Sequence, residues 1–189
     1  VITYTPNPAI DVWAQCEKVI LTEKTRIEHV RTDPGGGGIN VTRVLKSLGC
    51  HSLPVYLAGG ATGTLFTTML EERGIQGLRI PIAGETRISE VVYETSTANE
   101  YRFVADGPVI SQSEADQAFT ALTQTKGGWL VASGSLPRGL PETHYLELAR
   151  LAHEKNMFMA LDCSGPALKA AGLNGHLDLL KISKRELSE

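Results

Sequence analysis

The sequence carries no basic excess. Lysine and arginine number 18 against 21 aspartates and glutamates, leaving a formal charge of −3. A nucleic-acid partner held by a basic surface is therefore not expected. No Cys-x-x-C pair occurs, and the three cysteines, Cys16, Cys50 and Cys163, are odd in number and widely separated. This speaks against a disulfide scaffold or a zinc site and fits reduced, partly buried thiols in a reducing, cytoplasmic setting. The five histidines, His29, His51, His144, His153 and His176, show no paired ligand spacing. No signal peptide is visible, although the chain opens on Val1 rather than Met. The uncharged stretch 49–70 contains Pro54, Gly59, Gly60, Gly63 and four threonines, too polar and too broken to span a bilayer, so no membrane partner is expected.

What is present reads as a globular protein. Of 189 residues, 42% are hydrophobic and 21% charged, which suits one domain, or one domain with a small appendage. Residues 1–4 read as a strand closed by Pro6 and Pro8, and 11–30 are strand-like in places. After Asp33-Pro34-Gly35-Gly36-Gly37-Gly38, the residues Val41, Val44, Leu45 and Leu48 recur with helical spacing and predict an amphipathic helix ending at Gly49. Strands are predicted at 53–57, 78–82, 129–133, 158–162 and 177–182. Between them lie a helix marked by Leu65, Phe66, Met69 and Leu70, one opened by a Ser111/Glu114 capping box, one opened by Pro141, and a short one before the last strand. This alternation implies an α/β fold, a mainly parallel sheet flanked by helices. Residues 87–95 and 100–104 interrupt the rhythm as an antiparallel hairpin, either an ordinary edge hairpin or a flap over a site.

In parallel sheets, ligands bind beyond the carboxyl ends of strands. Here those ends carry Asn7-Pro8-Ala9-Ile10-Asp11, Gly59-Gly60-Ala61-Thr62-Gly63, Ser133-Gly134-Ser135-Leu136-Pro137 and Asp162-Cys163-Ser164-Gly165. All are small or polar, and together they favour a ligand cleft. Gly35 to Gly38 precede a helix, where bare N–H groups and the helix dipole favour an anion or a partly charged oxygen. The residues that follow are Ile39-Asn40, so neither a Walker-A loop nor a dinucleotide fingerprint fits. By spacing alone the run is either a glycine-rich turn or a ligand cradle. Arg87 and Arg102, one on each arm of the hairpin, are either solvated or able to clamp a phosphate together. Asp11 either caps a turn or accepts hydrogen bonds from sugar hydroxyls.

Five segments, taken in chain order, resemble the ribokinase-like sugar kinases of the phosphofructokinase-B branch: Asn7-Pro8-Ala9-Ile10-Asp11, Pro34 to Arg43, Gly59-Gly60-Ala61-Thr62-Gly63, Glu100-Tyr101-Arg102-Phe103 and Ser133-Gly134-Ser135-Leu136-Pro137. Gly37, where many members carry lysine, and Glu100-Tyr101-Arg102-Phe103 are most similar to the ATP-dependent 6-phosphofructokinases of the branch. Tagatose-6-phosphate kinases and 1-phosphofructokinases are its neighbours.

The resemblance implies a ribokinase-like fold with lid segments at about 11–31 and 87–104, forming a small β-sheet that covers the cleft and pairs two subunits as a homodimer. It implies ATP- and Mg2+-dependent phosphorylation of a sugar phosphate, with fructose 6-phosphate first among the substrates. Asp11, Gly35, Gly36, Asn40, Arg87, Arg102 and Ser135 would then bind the sugar phosphate. Lys24, Lys181, Ser183 and Glu186 would serve the nucleotide, Glu186 also acting indirectly on the metal. Two departures stand out. Lys181-Ile182-Ser183-Lys184-Arg185-Glu186 replaces the family's Lys-Pro-Asn-x-x-Glu. The family's Gly-Ala-Gly-Asp segment, which supplies the catalytic aspartate and an anion hole, does not occur. Residues 1–189 are accordingly expected to be the amino-terminal part of a longer kinase domain, inactive alone, with the catalytic base beyond Glu189. The competing expectation is a homologue that binds a sugar phosphate without catalysis. An oxidoreductase is disfavoured by the glycine spacing.

Overall fold

Strand β1 (Ile2–Thr5) is buried along its whole length, the pattern of a central strand covered on both faces. In the computed structural model, which describes residues 1–173 and 176–186, it lies in the middle of a parallel sheet. The elements that follow are β2 (Ala9–Cys16), β3 (Glu28–Gly35), α1 (Gly37–Ser47), β4 (Leu53–Gly59), α2 (Gly60–Glu72), β5 (Leu78–Ile82), β6 (Arg87–Glu94) and β7 (Asn99–Val104). They continue with α3 (Gln112–Gln124), β8 (Trp129–Ser133), α4 (His144–Glu154), β9 (Phe158–Asp162), α5 (Gly165–Gly172) and β10 (Leu179–Leu180).

The main sheet has six strands in the order β10-β9-β8-β1-β4-β5, every pair parallel. Alternate side chains feed two cores. Ile2, Tyr4, Val55, Leu57, Leu130 and Met159 pack with α3, α4 and α5. Tyr56 and Ala58 pack on the other face with Ile39 of α1 and with Phe66, Met69 and Leu70 of α2. The capping box predicted at the start of α3 is present in both directions, Ser111 to Glu114 and back.

Strands β3-β2-β6-β7 form a separate four-stranded sheet. Its β2–β3 and β6–β7 pairs are antiparallel, and β2–β6 is parallel. This is the expected lid, with β2 starting slightly earlier and β3 ending slightly later than the sequence indicates. Ile10 enters the α1/α2 core and ties the lid root to the main body. Asp11, Asp33 and Ser89 are register partners, so they share the opposite face of the lid.

Two expectations need correction. The apolar stripe of α1 faces the core only in part: Val41 and Leu45 are half-buried and Val44 is 57% and Leu48 69% exposed, whereas Gly38, Ile39 and Thr42 are buried. Thr42 and Thr3 share a buried hydroxyl–hydroxyl bond of 2.7 Å, so a polar pair satisfied across the interface takes the place of an apolar contact. The last strand is also shorter than predicted. Only Leu179 and Leu180 pair with β9, although the Asp178 N–H still donates to the Met159 carbonyl at 3.0 Å while the Asp178 carboxylate accepts from the Met159 N–H at 2.8 Å.

Candidate functional site at the lid root

The four glycines 35–38 have a structural reason for being glycine, and the reason builds a site. A Cβ on Gly35 would fall 2.0 Å from a carboxylate oxygen of Asp11. One on Gly37 would fall 1.8 Å from Ser133 Oγ, and one on Gly38 would fall 2.5 Å from Thr5 Oγ1. Gly36 also has φ 113°, which a side chain disfavours. The run therefore lets the start of α1 press against the carboxyl ends of β1 and β8 and against Asp11. Among the described residues no side chain caps α1, so its first N–H groups and the positive end of its dipole lie open beside the Asp11 carboxylate.

Asp11 is half-buried. Burial pushes its carboxyl above the usual range; Arg87 opposes that shift, neighbouring Asp33 adds to it and Arg43 opposes it. Arg87 is also half-buried, and desolvation lowers its pKa against the pull of Asp11 and Asp106. Its guanidinium donates to the Asn7 carbonyl at 3.1 Å and the Ala105 carbonyl at 3.2 Å. Asn7 Nδ2 donates to Ser135 Oγ at 3.2 Å. Arg87 Nε, Asn7 Oδ1 and Thr5 Oγ1 are buried without a partner among the described residues, and all three belong to this corner. Buried polar groups are normally satisfied, so the corner has hydrogen-bonding capacity for a polar ligand or water. Asn40 sits in the first turn of α1, exposed, with Arg43 bonded to its Oδ1 at 3.4 Å.

A second group lies at the ends of β8 and β9. Asp162 accepts from Ser133 Oγ at 3.1 Å and from Lys181 Nζ at 3.1 and 3.3 Å. The turn between Ser133 and Ser135 is held by Tyr145, whose hydroxyl donates to the Gly134 carbonyl at 2.8 Å. Ser183 and Glu186 bond reciprocally: the Ser183 N–H donates to the Glu186 carboxylate at 2.6 Å, and the Glu186 N–H donates to Ser183 Oγ at 3.3 Å. The serine that departs from the family pattern thus makes a capping-box arrangement, and hydrogen bonds from the Ser183 side chain and N–H hold the Glu186 carboxyl below its usual range.

Residues 7–189 match the pfkB family carbohydrate kinase profile. The chain belongs to the pfkB family of carbohydrate kinases. It is 40% identical over 191 aligned residues to an ATP-dependent 6-phosphofructokinase isozyme 2 of Mycobacterium tuberculosis, covering 100% of this chain and 56% of that protein. It is 30% identical over 189 residues to a D-tagatose-1-phosphate kinase of Bacillus licheniformis, covering 100% of this chain and 61% of that one. The phosphofructokinase-2 of Escherichia coli, solved in complex with fructose-6-phosphate, superposes with a TM-score of 0.93 at 31% identity, over 100% of this chain and 62% of that one. The chain therefore spans about three fifths of the length of these relatives.

Within this pfkB-family chain, Asp11, Gly35, Gly36, Asn40, Arg87 and Ser135 come together at the lid root. Arg102 does not join them. It shares the Asp11 face of the lid but pairs with Val91, whereas Arg87 pairs with Ala9. That separates them by about 13 Å along β6. The Arg102 side chain is 71% exposed and ion-paired to Glu100. Lys24 lies farther out, beside Gln15, Lys18, Arg26 and Thr95 in a groove of about 380 Å³. Lys181 is paired with Asp162, and Ser183 and Glu186 bond each other just after it in the chain. Sequence reasoning passed over Asp33, on which Arg31, Arg43 and Arg73 converge, and Asp162, which links Ser133 to Lys181. Both stood in quoted segments, but no spacing marks which distant cations reach them.

Proposed function

We propose that the complete protein transfers a phosphoryl group from ATP to a hydroxyl of a sugar phosphate, with fructose 6-phosphate as acceptor and fructose 1,6-bisphosphate as product. Residues 1–189 form the amino-terminal part of that kinase domain. The supporting observation is the Asp11 carboxylate held between Arg87 and the uncapped start of α1, with Ser135 linked to the same corner through Asn7. A carboxylate there accepts hydrogen bonds from sugar hydroxyls, and the first N–H groups of α1 donate to sugar oxygens. Arg87 supplies positive potential beside them, and Arg102 on the same lid face reaches the phosphate already carried by the sugar once its pairing with Glu100 is exchanged.

On the nucleotide side, Lys181 and Lys24 would serve the ATP phosphates, and Glu186 would act indirectly on the metal. Among the described residues no group of three metal-ligating side chains forms. Mg2+ is the metal of this proposal; it takes few protein carboxylates and fills its shell with phosphate oxygens and water. Mg2+ bound with ATP neutralises charge on the phosphates. Closing the lid excludes water and strengthens the electrostatics inside the cleft. Ile88 and Phe103, exposed on the other face of the lid, are the apolar surface through which two copies pair as a homodimer. Among the described residues no helix is long and apolar enough to cross a membrane.

The test is a substrate panel on the complete protein: fructose 6-phosphate, tagatose 6-phosphate, tagatose 1-phosphate and fructose 1-phosphate, each with MgATP and coupled detection of ADP. The highest kcat/KM is expected for fructose 6-phosphate. A different preferred acceptor would reassign the substrate. Tight sugar-phosphate binding with no ADP release would replace the kinase reading with a non-catalytic binder.

A further inference from the structure

The segment Gly59-Gly60-Ala61-Thr62-Gly63 stands at a strand end, where a ligand is expected, but the protein fills that place itself. The Glu85 carboxylate accepts from the Ala61 N–H at 3.2 Å, the Thr62 N–H at 3.1 Å and the Thr62 hydroxyl at 2.7 Å. Gly60 has φ 67°, and a Cβ there would fall 2.0 Å from the Glu85 carboxyl carbon. The backbone at this position thus favours glycine, and the carboxylate lies directly above it. These bonds hold the Glu85 carboxyl below its usual range, so it is charged near neutral pH and complements the start of α2.

Glu85 belongs to the short linker that carries the chain from β5 in the main sheet to β6 in the lid. The same linker is fixed at two further points. Its Ala83 N–H donates to Glu114 of α3 at 2.6 Å. Its Thr86 N–H donates to the Gly59 carbonyl at 3.0 Å, while Thr86 Oγ1 accepts from the Gly59 N–H at 3.2 Å. The next residue is Arg87, which reaches Asn7 and Ala105 in two other connections between body and lid.

We propose that Glu85 is a positioning residue for the sugar-phosphate site: it latches the lid root onto α2 and thereby sets where Arg87 stands relative to Asp11. Glu85 touches no substrate in this role. It acts through the one-residue spacer Thr86, and the cost of losing it falls on the affinity for the acceptor. This rests on the sugar-phosphate reading above. A guanidinium displaced by an ångström from its productive position loses much of a directional contact with the substrate.

The experiment compares the complete wild-type protein with Glu85→Gln and Glu85→Asp. Glu85→Gln keeps the shape and removes the charge. It is expected to raise KM for fructose 6-phosphate about three- to tenfold, with KM for ATP within about twofold of wild type. Glu85→Asp retains a carboxylate and recovers part of the loss. In parallel, amide hydrogen exchange without ligand should accelerate at residues 86–94 in Glu85→Gln and stay unchanged in β4. An unchanged acceptor KM overturns the proposal, as does an equal rise in both KM values with a lowered melting temperature, which marks a general structural role. If wild type shows no sugar-phosphate-dependent activity, the functional reading has failed. The exchange arm then decides the latch alone: unchanged exchange at 86–94 overturns it.

Discussion

The Tyr4 hydroxyl and His144 Nε2 lie 3.0 Å apart, joining the central strand β1 to α4 inside the main core. Both are buried. Burial raises the Tyr4 pKa well above its usual value and lowers that of His144 to about 4. In the unfolded chain His144 takes up a proton below about pH 6.5. The folded protein does not do so until about pH 4. Between those values the unfolded state binds more protons, so stability falls as the pH falls through this window and this contribution levels off below it. The expected loss is about 3 kcal/mol. Urea unfolding of wild type and His144→Gln from pH 7 to pH 4 measures it. The variant should show a clearly shallower decline, and an identical decline would rule His144 out as the cause.

Gly38→Ala tests the packing reason for the glycine run. Alanine is the better helix former by up to about 1 kcal/mol. Its methyl, however, would stand 2.5 Å from Thr5 Oγ1 and 2.9 Å from the Tyr4 carbonyl oxygen. Backbone cannot step aside cheaply, and overpacking of this kind costs about 1–3 kcal/mol. The melting temperature should fall. An unchanged or higher value would mean that the start of α1 is not pressed on β1 as described.

Arg102→Ala is expected to raise KM for fructose 6-phosphate by roughly tenfold to a hundredfold in the complete protein, as loss of a charge-assisted hydrogen bond implies. KM for ATP should change little. Arg102→Lys should rescue only part of the loss, because an ammonium lacks the planar fork. Arg102 is a cleaner probe than Arg87, whose removal also deletes the bonds to Asn7 and Ala105. If Arg102 serves only Glu100, the KM for fructose 6-phosphate stays at the wild-type value and the phosphate role is lost.

Purified residues 1–189 are expected to give no sugar-dependent ADP release above background. Phosphoryl transfer depends on groups placed around the moving phosphoryl. The family's Gly-Ala-Gly-Asp segment is not among the residues of this chain, and removal of a single preorganised donor typically costs about a hundred- to a thousandfold. Turnover at a rate close to that of the complete protein would show that this chain carries its own catalytic base.

Where a feature depends on residues close in the chain, the sequence alone determined it. The capping box of Ser111 and Glu114 spans one helical turn. The strands Leu78–Ile82, Trp129–Ser133 and Phe158–Asp162 are short apolar runs bounded by breakers, and their predicted limits match the structure. The lid hairpin was legible because its polar turn separates two alternating strands. Where a feature depends on which distant surfaces meet, only the tertiary structure decided it. Val44 and Leu48 follow a helical period as well as any core stripe, yet α1 turns its glycines and Thr42 inward because Thr3, 39 residues away, supplies the hydrogen bond. Glycines 35–38 look the same whether a ligand or Asp11, Thr5 and Ser133 occupy the space above them. Glu85 reaches the start of α2 across 23 to 24 residues, and Asp162 reaches Lys181 across 19. A helix or strand writes its period into neighbouring positions, whereas a charge finds its partner only after the chain has folded back, and no local spacing records that encounter.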